Sequence, residues 1–105
     1  MHLIISNAVL SVLQEREKQM NIKGYDVHND DAYRHGELSL AASCYALDSG
    51  VKSGNVPVNW PFEDRYWRAS TRRRNLVKAA ALIIAELESL DRKQTCKTNG
   101  DKKDD

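Results

Sequence analysis

Long apolar runs, cysteine, and charge of one dominant sign are all scarce in this chain, and each scarcity removes a class of protein. The run Leu3-Ile4-Ile5 breaks at once into Ser6-Asn7 and has no basic residue before it. It is therefore expected to be neither a secretion signal nor a membrane span. There are two cysteines: Cys44 lies in an apolar helical pattern and Cys96 in a polar tail. No disulfide framework follows from that pair, and the expected location is the cytoplasm, with reduced thiols. Basic and acidic residues balance to a net charge of +1, spread along the chain, which argues against a coat on duplex nucleic acid or an electrostatic membrane binder. The sequence has no Gly-rich phosphate loop, no Cys-x-x-Cys pair and no catalytic Ser-His-Asp order. No catalytic residue, metal ligand or cofactor is assigned from motifs.

Sustained period-two alternation is missing as well, so strands are not expected and the fold class reads as all-α. Three segments carry helical periodicity. The first begins at Ser6 or Asn7, either of them a competent N-cap, and runs to about Ile22 before Gly24. Its stripe is Val9, Val12, Leu13 and Met20, and Arg16 falls on the same stripe, where an inward guanidinium requires a partner. The second runs from Glu37 to Leu47, with Leu38, Ala41, Ala42 and Tyr45 on one side and Leu40, Cys44 and Leu47 on the other, and Ser49-Gly50 stops it. The third starts at Ser70 or Thr71 and reaches about Arg92. Its stripe Leu76, Ala80, Ile83, Leu87 and Leu90 is joined by Val77, Ala81 and Ile84, which makes it the expected central helix. Ala79, Ala80, Ala81 and Ala85 keep it thin enough for close approach by a helix of the same chain or of a second copy. These elements predict one compact three-helix domain over residues 1–92 and a disordered charged tail over 93–105. A chain of 105 residues buries only a modest core, so self-association would help it.

The segment Trp60-Pro61-Phe62-Glu63-Asp64-Arg65-Tyr66-Trp67-Arg68-Ala69-Ser70-Thr71-Arg72-Arg73-Arg74 carries most of the functional information. It closes a long connection before the last helix, and connections of that length are uncommon unless they bind something or are disordered. Three arginines at a helix entrance oppose the partial positive charge there, at a cost of roughly 0.3–1 kcal/mol each. Either an anion compensates them or they pair within the protein. With Trp60 and Trp67 as aromatic walls, Arg72, Arg73 and Arg74 form the best candidate site, since rings stack on a base and guanidinium forks grip phosphate. The alternative is that both tryptophans cover the ends of a small bundle.

The polar link over residues 24–36 supplies the remaining candidate ligand contacts, Tyr25, His28, Asp30 and Asp31, with Arg16 contacting a ribose or bracing the site. Asp30-Asp31, with Asp26, His28 and His35 nearby, has the donor chemistry of a metal or acid-base cluster, but its spacing matches no metal motif. Capping of a helical turn explains the same residues. Glu86, Glu88 and Asp91 place carboxylates on neighbouring turns, as the all-α nucleotide pyrophosphohydrolases of the MazG type do to hold magnesium. The doubled Glu pair that completes such a site is absent, so the magnesium-dependent hydrolase is the alternative reading. A third is a module that docks on a host protein through an exposed aromatic loop.

The order Arg16, Gln19, Gly24-Tyr25, Asp30-Asp31, Glu37-Leu38, Ala41-Ala42, Tyr45, Trp60-Pro61-Phe62 and Arg73-Arg74-Asn75-Leu76-Val77-Lys78-Ala79 resembles a family of small tailed-phage proteins. The resemblance spans roughly residues 8–92. It departs where Tyr66 replaces the usual second Trp and where Arg68-Ala69 stands near the usual Lys-Pro. The same Arg-x-x-Gln, Gly-aromatic and Asp-Asp order is similar to the ryanodine-receptor repeat domain. Together these resemblances imply a phage protein that forms a homo-oligomer. It would bind a nucleotide-like anion, such as a cyclic nucleotide or ADP-ribose derivative, and sequester a host immune signal without turnover.

Overall fold

The computed structural model describes residues 4–21, 36–50 and 54–98. Among them are three α-helices, α1 (Asn7–Asn21), α2 (Glu37–Leu47) and α3 (Arg72–Thr98), and one short 3-10 turn, Asp64–Tyr66. The fold of these residues is all-α, with the aromatic and arginine-rich connection entering the last helix.

Local chemistry explains the helix starts. Ser6 accepts the Val9 N–H on its Oγ at 3.2 Å, which satisfies one donor that a helix start leaves orphaned, while its carbonyl accepts the first regular helical bond from Leu10 N at 2.9 Å. Thr71 does the same for α3, with Oγ1 accepting from Arg74 N at 3.2 Å and its carbonyl from Asn75 N at 2.9 Å. Gly36 precedes α2 in the left-handed conformation, φ 79°, without a side-chain cap. α3 continues beyond Arg92 to Thr98. The apolar pattern ends at Leu90, but Lys93 and Gln94 are good helix formers and no Gly intervenes before Gly100, so the backbone has no reason to stop.

α3 is the spine against which α1 and α2 both pack. Leu38, Ala41, Ala42 and Tyr45 of α2 meet Ala79, Leu82 and Ala85 of α3 in the core, and Trp60, Phe62 and Trp67 pack against it. The alanines permit the close approach. That approach also sets the rotation of α3. Val77, Ala81, Leu82 and Ala85 are buried, whereas Leu76, Ile83, Leu87 and Leu90 of the predicted core stripe stay 43 to 54% exposed. Leu40 and Leu47 of α2 likewise face outward.

The α1–α3 contact has a polar face. Glu15, Arg16 and Gln19 are buried, while Val9 and Leu13, expected inside, remain about half exposed. Arg16 does turn inward as its spacing required, and its Nη2 meets Glu88 Oε1 at 2.9 Å. The opposing surface of α3 presents Arg74 and Glu88, so ionic groups of α1, and not its aliphatic ones, find their complements there.

Candidate functional site

Tyr45, projecting from α2, organises the aromatic connection. Trp67 stacks on its ring at 4.6 Å between centroids and 22° between planes, and Trp60 meets it edge-on at 5.5 Å. Trp60 also packs edge-on against Phe62 at 5.5 Å and Trp67 at 5.0 Å. Edge-to-face and stacked pairs of this kind add to the stabilisation from buried area. The indole N–H of Trp60 donates to the Glu63 carbonyl at 3.0 Å, just before the 3-10 turn. Both tryptophans are therefore half-buried parts of the core edge.

Asn75 ties this loop to the bundle. It is fully buried, at 0% exposure; its Oδ1 accepts from Ser70 N at 2.7 Å. Its Nδ2 donates to Asp48 Oδ2 at 2.8 Å and to the Ser70 carbonyl at 3.2 Å. The loop, the end of α2 and the start of α3 thus share one side chain.

The arginines at the helix entrance engage protein groups. Arg72 Nη1 donates to the Asp48 carbonyl at 2.8 Å and to the Ala46 carbonyl, so it caps the C-terminal end of α2. A cation is favourable at that end, which accounts for a charge that looked misplaced at the start of α3. Arg73 reaches Ser11 Oγ at 3.3 Å. Arg74 Nη2 meets Glu15 Oε1 at 2.7 Å, with the Glu15 side chain 1% exposed. Arg65 pairs with Glu63 at 3.1 Å and lies 4.8 Å from the centre of the Tyr66 ring. The Glu63 charge first, and then Tyr66, raise its already high pKa.

Arg68 differs from these four. Its backbone N–H donates to Tyr45 Oη at 3.1 Å, and its carbonyl accepts from Lys78 Nζ at 2.5 Å. Two helices therefore grip the Arg68 backbone on both sides of its Cα. Its guanidinium has no hydrogen-bond or ion-pair partner among the described residues. It lines a cavity of about 400 Å³ whose walls are Tyr45, Trp60, Phe62 and Tyr66, with Ala41 and Leu82 between them and Lys78 and Gln19 as further polar groups. That volume falls within the range of small-molecule sites. Lys78 Nζ also lies 5.5 Å from the Tyr45 ring centre. Gln19 is 2% exposed, and its Oε1 has no hydrogen-bond partner among the described residues. A buried amide left in that state costs stability unless a ligand or water completes it.

Of the candidate residues, Trp60 lines this cavity, while Trp67 backs it through Tyr45. Arg16, Arg72, Arg73 and Arg74 brace the fold around it. Tyr25, His28, Asp30 and Asp31 lie outside the described residues, as do Asp26 and His35. Sequence reasoning did not select Arg68, Tyr45, Lys78 or Gln19 as ligand contacts. Three of these were legible only as helix-stripe residues or as parts of the resemblance, and Arg68 was one arginine of five.

The carboxylates of the hydrolase alternative are also engaged. Glu86 Oε1 accepts from Ser39 N at 3.0 Å and from Ser39 Oγ, Glu88 pairs with Arg16, and Asp91 makes contacts of its own. No group of three or more His, Cys, Asp or Glu side chains is placed to hold a metal ion among the described residues. No helix among them is long and apolar enough to cross a membrane.

Cys44 lines a second, more open cavity of about 270 Å³ beside Pro57 and Val58. Burial pushes its thiol pKa up, partly offset by a hydrogen bond from Ser43, so the thiolate that reacts and ligates is disfavoured. A raised pKa contributes stability below the pKa of the unfolded thiol, and that contribution is lost as pH climbs through the folded value. In a Cys96→Ser protein near neutral pH, a thiol reagent is expected to label Cys44 at least about tenfold more slowly than after denaturation. Equal labelling rates would contradict the burial. No protein-family model, curated protein or solved structure matches the chain.

Proposed function

We propose that this protein binds a small planar anion of the nucleotide type in the cavity between α2, α3 and the aromatic connection. The observation that carries the proposal is Arg68, a guanidinium without an ion-pair partner among the described residues at the edge of an aromatic cavity. Trp60 and Tyr66 offer π-surfaces to a base, and Gln19 presents an unsatisfied amide edge to its polar rim. Arg68 grips the phosphate as a fork. Lys78 adds positive charge from the inner wall and holds the Arg68 peptide in place. The arginines of the helix entrance, occupied elsewhere, support this site without touching its ligand.

Binding without turnover is the mode proposed. The carboxylates suited to magnesium chemistry, Glu86 and Glu88, are held by Ser39 and Arg16 and do not line the cavity. In biological terms this reading makes the chain a phage-encoded sink for a nucleotide-derived host immune signal.

The test is equilibrium dialysis against adenosine monophosphate, ADP-ribose and cyclic di-adenosine monophosphate, with free ligand followed before and after heat denaturation. At least one ligand is expected to be depleted and then recovered intact; conversion to a new species would establish an enzyme instead. Arg68→Ala is expected to weaken that binding by roughly 10- to 100-fold, the loss of a charge-assisted hydrogen bond. Its melting temperature should change little, because no group among the described residues loses a partner. Unchanged affinity in Arg68→Ala would place the ligand elsewhere.

A further inference from the structure

The exposed face of α3 is the apolar one. At about 100° per residue, Leu76, Ala80, Ile83, Leu87 and Leu90 fall within an arc of roughly 80°, turned away from the buried Ala81 and Ala85. Leu76, Ile83, Leu87 and Leu90 are 43 to 54% exposed. With Ala80 included, the spacing alternates four and three residues, the repeat by which helices form knobs-into-holes seams. No charged residue interrupts the stripe between Arg73 at its start and Asp91 at its end. Arg73 and Asp91 are both exposed, and each also has contacts within its own chain.

We infer that this face is the interface of a homodimer in which α3 pairs with α3 of a second copy in antiparallel orientation. A stripe that repeats along one helix is complementary to itself, as a two-fold interface requires. Charge selects the direction. A parallel pair sets Arg73 against Arg73 and Asp91 against Asp91, whereas an antiparallel pair sets the basic end of one stripe beside the acidic end of the other. Size selects the register. Placing Ala80 opposite the partner's Ile83 sets a small residue against a large one, aligns Leu76 with the partner's Leu87, and brings Arg73 beside the partner's Asp91. The interface faces away from the Arg68 cavity, so it is independent of ligand binding.

Sedimentation equilibrium of the full chain at micromolar concentrations is the first readout, with a dimer expected. A monomer throughout that range would overturn the inference. Ile83→Glu, at an exposed position, should leave helicity intact and shift the protein to monomer. A dimer that persists in Ile83→Glu would move the interface elsewhere. Direction is read by crosslinking in a chain lacking Cys44 and Cys96. Leu76→Cys mixed with Leu87→Cys should form mixed disulfides, while Leu87→Cys alone should not self-crosslink. Efficient self-crosslinking of Leu87→Cys would mean parallel helices and overturn the proposed arrangement. Arg73→Glu is expected to weaken the dimer about tenfold, and adding Asp91→Arg should restore it. Failure of that rescue would remove the charge argument.

Discussion

Arg74→Ala is expected to lower folding stability by about 3 kcal/mol, through the Glu15 carboxylate it leaves behind. Glu15 is 1% exposed and its Oε1 meets Arg74 Nη2 at 2.7 Å; Lys18, about half exposed, lies 4.0 Å from the same oxygen, and Glu15 has further contacts of its own. Removing its closest cation leaves a buried carboxylate under-compensated in a low-dielectric site, a larger penalty than the pair's own net contribution. The Arg74 side chain keeps 37% of its exposure, so water screens part of the effect and the figure sits at the low end for buried pairs. For a domain of this size the melting temperature should fall by on the order of 15 °C. Replacing both partners, Glu15→Leu with Arg74→Met, should recover most of the loss, because the buried carboxylate is removed together with its closest cation. Thermal unfolding of the three proteins checks this. A single variant as stable as the parent would mean that the pair does not form. Loss of ligand binding in an Arg74 variant would accordingly report on folding and not on a lost phosphate contact.

Gly50→Ala is expected to be comparably damaging, at about 3 kcal/mol or more, from strain and overlap together. Gly50 has φ 88°, and a Cβ there would lie 2.6 Å from the Arg72 backbone nitrogen. Backbone cannot rotate aside as a side chain can. The collision would push the start of α3 from the end of α2, where Arg72 caps the Asp48 carbonyl and Asn75 bonds the Asp48 carboxylate. Gly36 makes the control. Its φ of 79° is similar, but a Cβ there meets nothing within 4 Å, so Gly36→Ala should cost only about 1 kcal/mol. Urea unfolding distinguishes the two. Equal effects would show that conformation alone, without the close approach, governs Gly50.

Both predictions concern contacts between elements, and that is where reading the chain from its sequence met its limit. Helix positions were legible because they are local: Ser6 and Thr71 are caps, Ser49-Gly50 is a stop, and the apolar period marks what lies between. The C-terminal end of α3 was less so, since an apolar stripe records what is available for burial and not where backbone hydrogen bonding ends. α3 extends to Thr98, on residues with good helix propensity and no stripe. The aromatic half of the candidate site was also legible. Trp60 and its neighbours are large, few and clustered, and a small domain has few ways to accommodate them other than against its core.

The rotation of α1 and α3 was not legible. Each helix carries more apolar residues than one contact face can bury, and periodicity cannot say which arc faces the neighbour. On α3 the alanines won the core because α2 approaches closely, and the larger aliphatics were left outside as a second face. On α1 the acidic and basic residues won because α3 offers Arg74 and Glu88.

Composition and pattern by themselves determined the all-α class, the helix starts, the central helix, the inward Arg16 and the concentration of positive charge beside aromatic rings. Only the tertiary structure decided which arginines are engaged by protein groups. A guanidinium reaches several ångströms from its backbone, so its partner is whichever carbonyl or carboxylate the fold carries there: the end of α2 for Arg72, and Glu15 for Arg74. Among the described residues Arg68 is left without such a partner, because Tyr45 and Lys78 hold its backbone and not its charge.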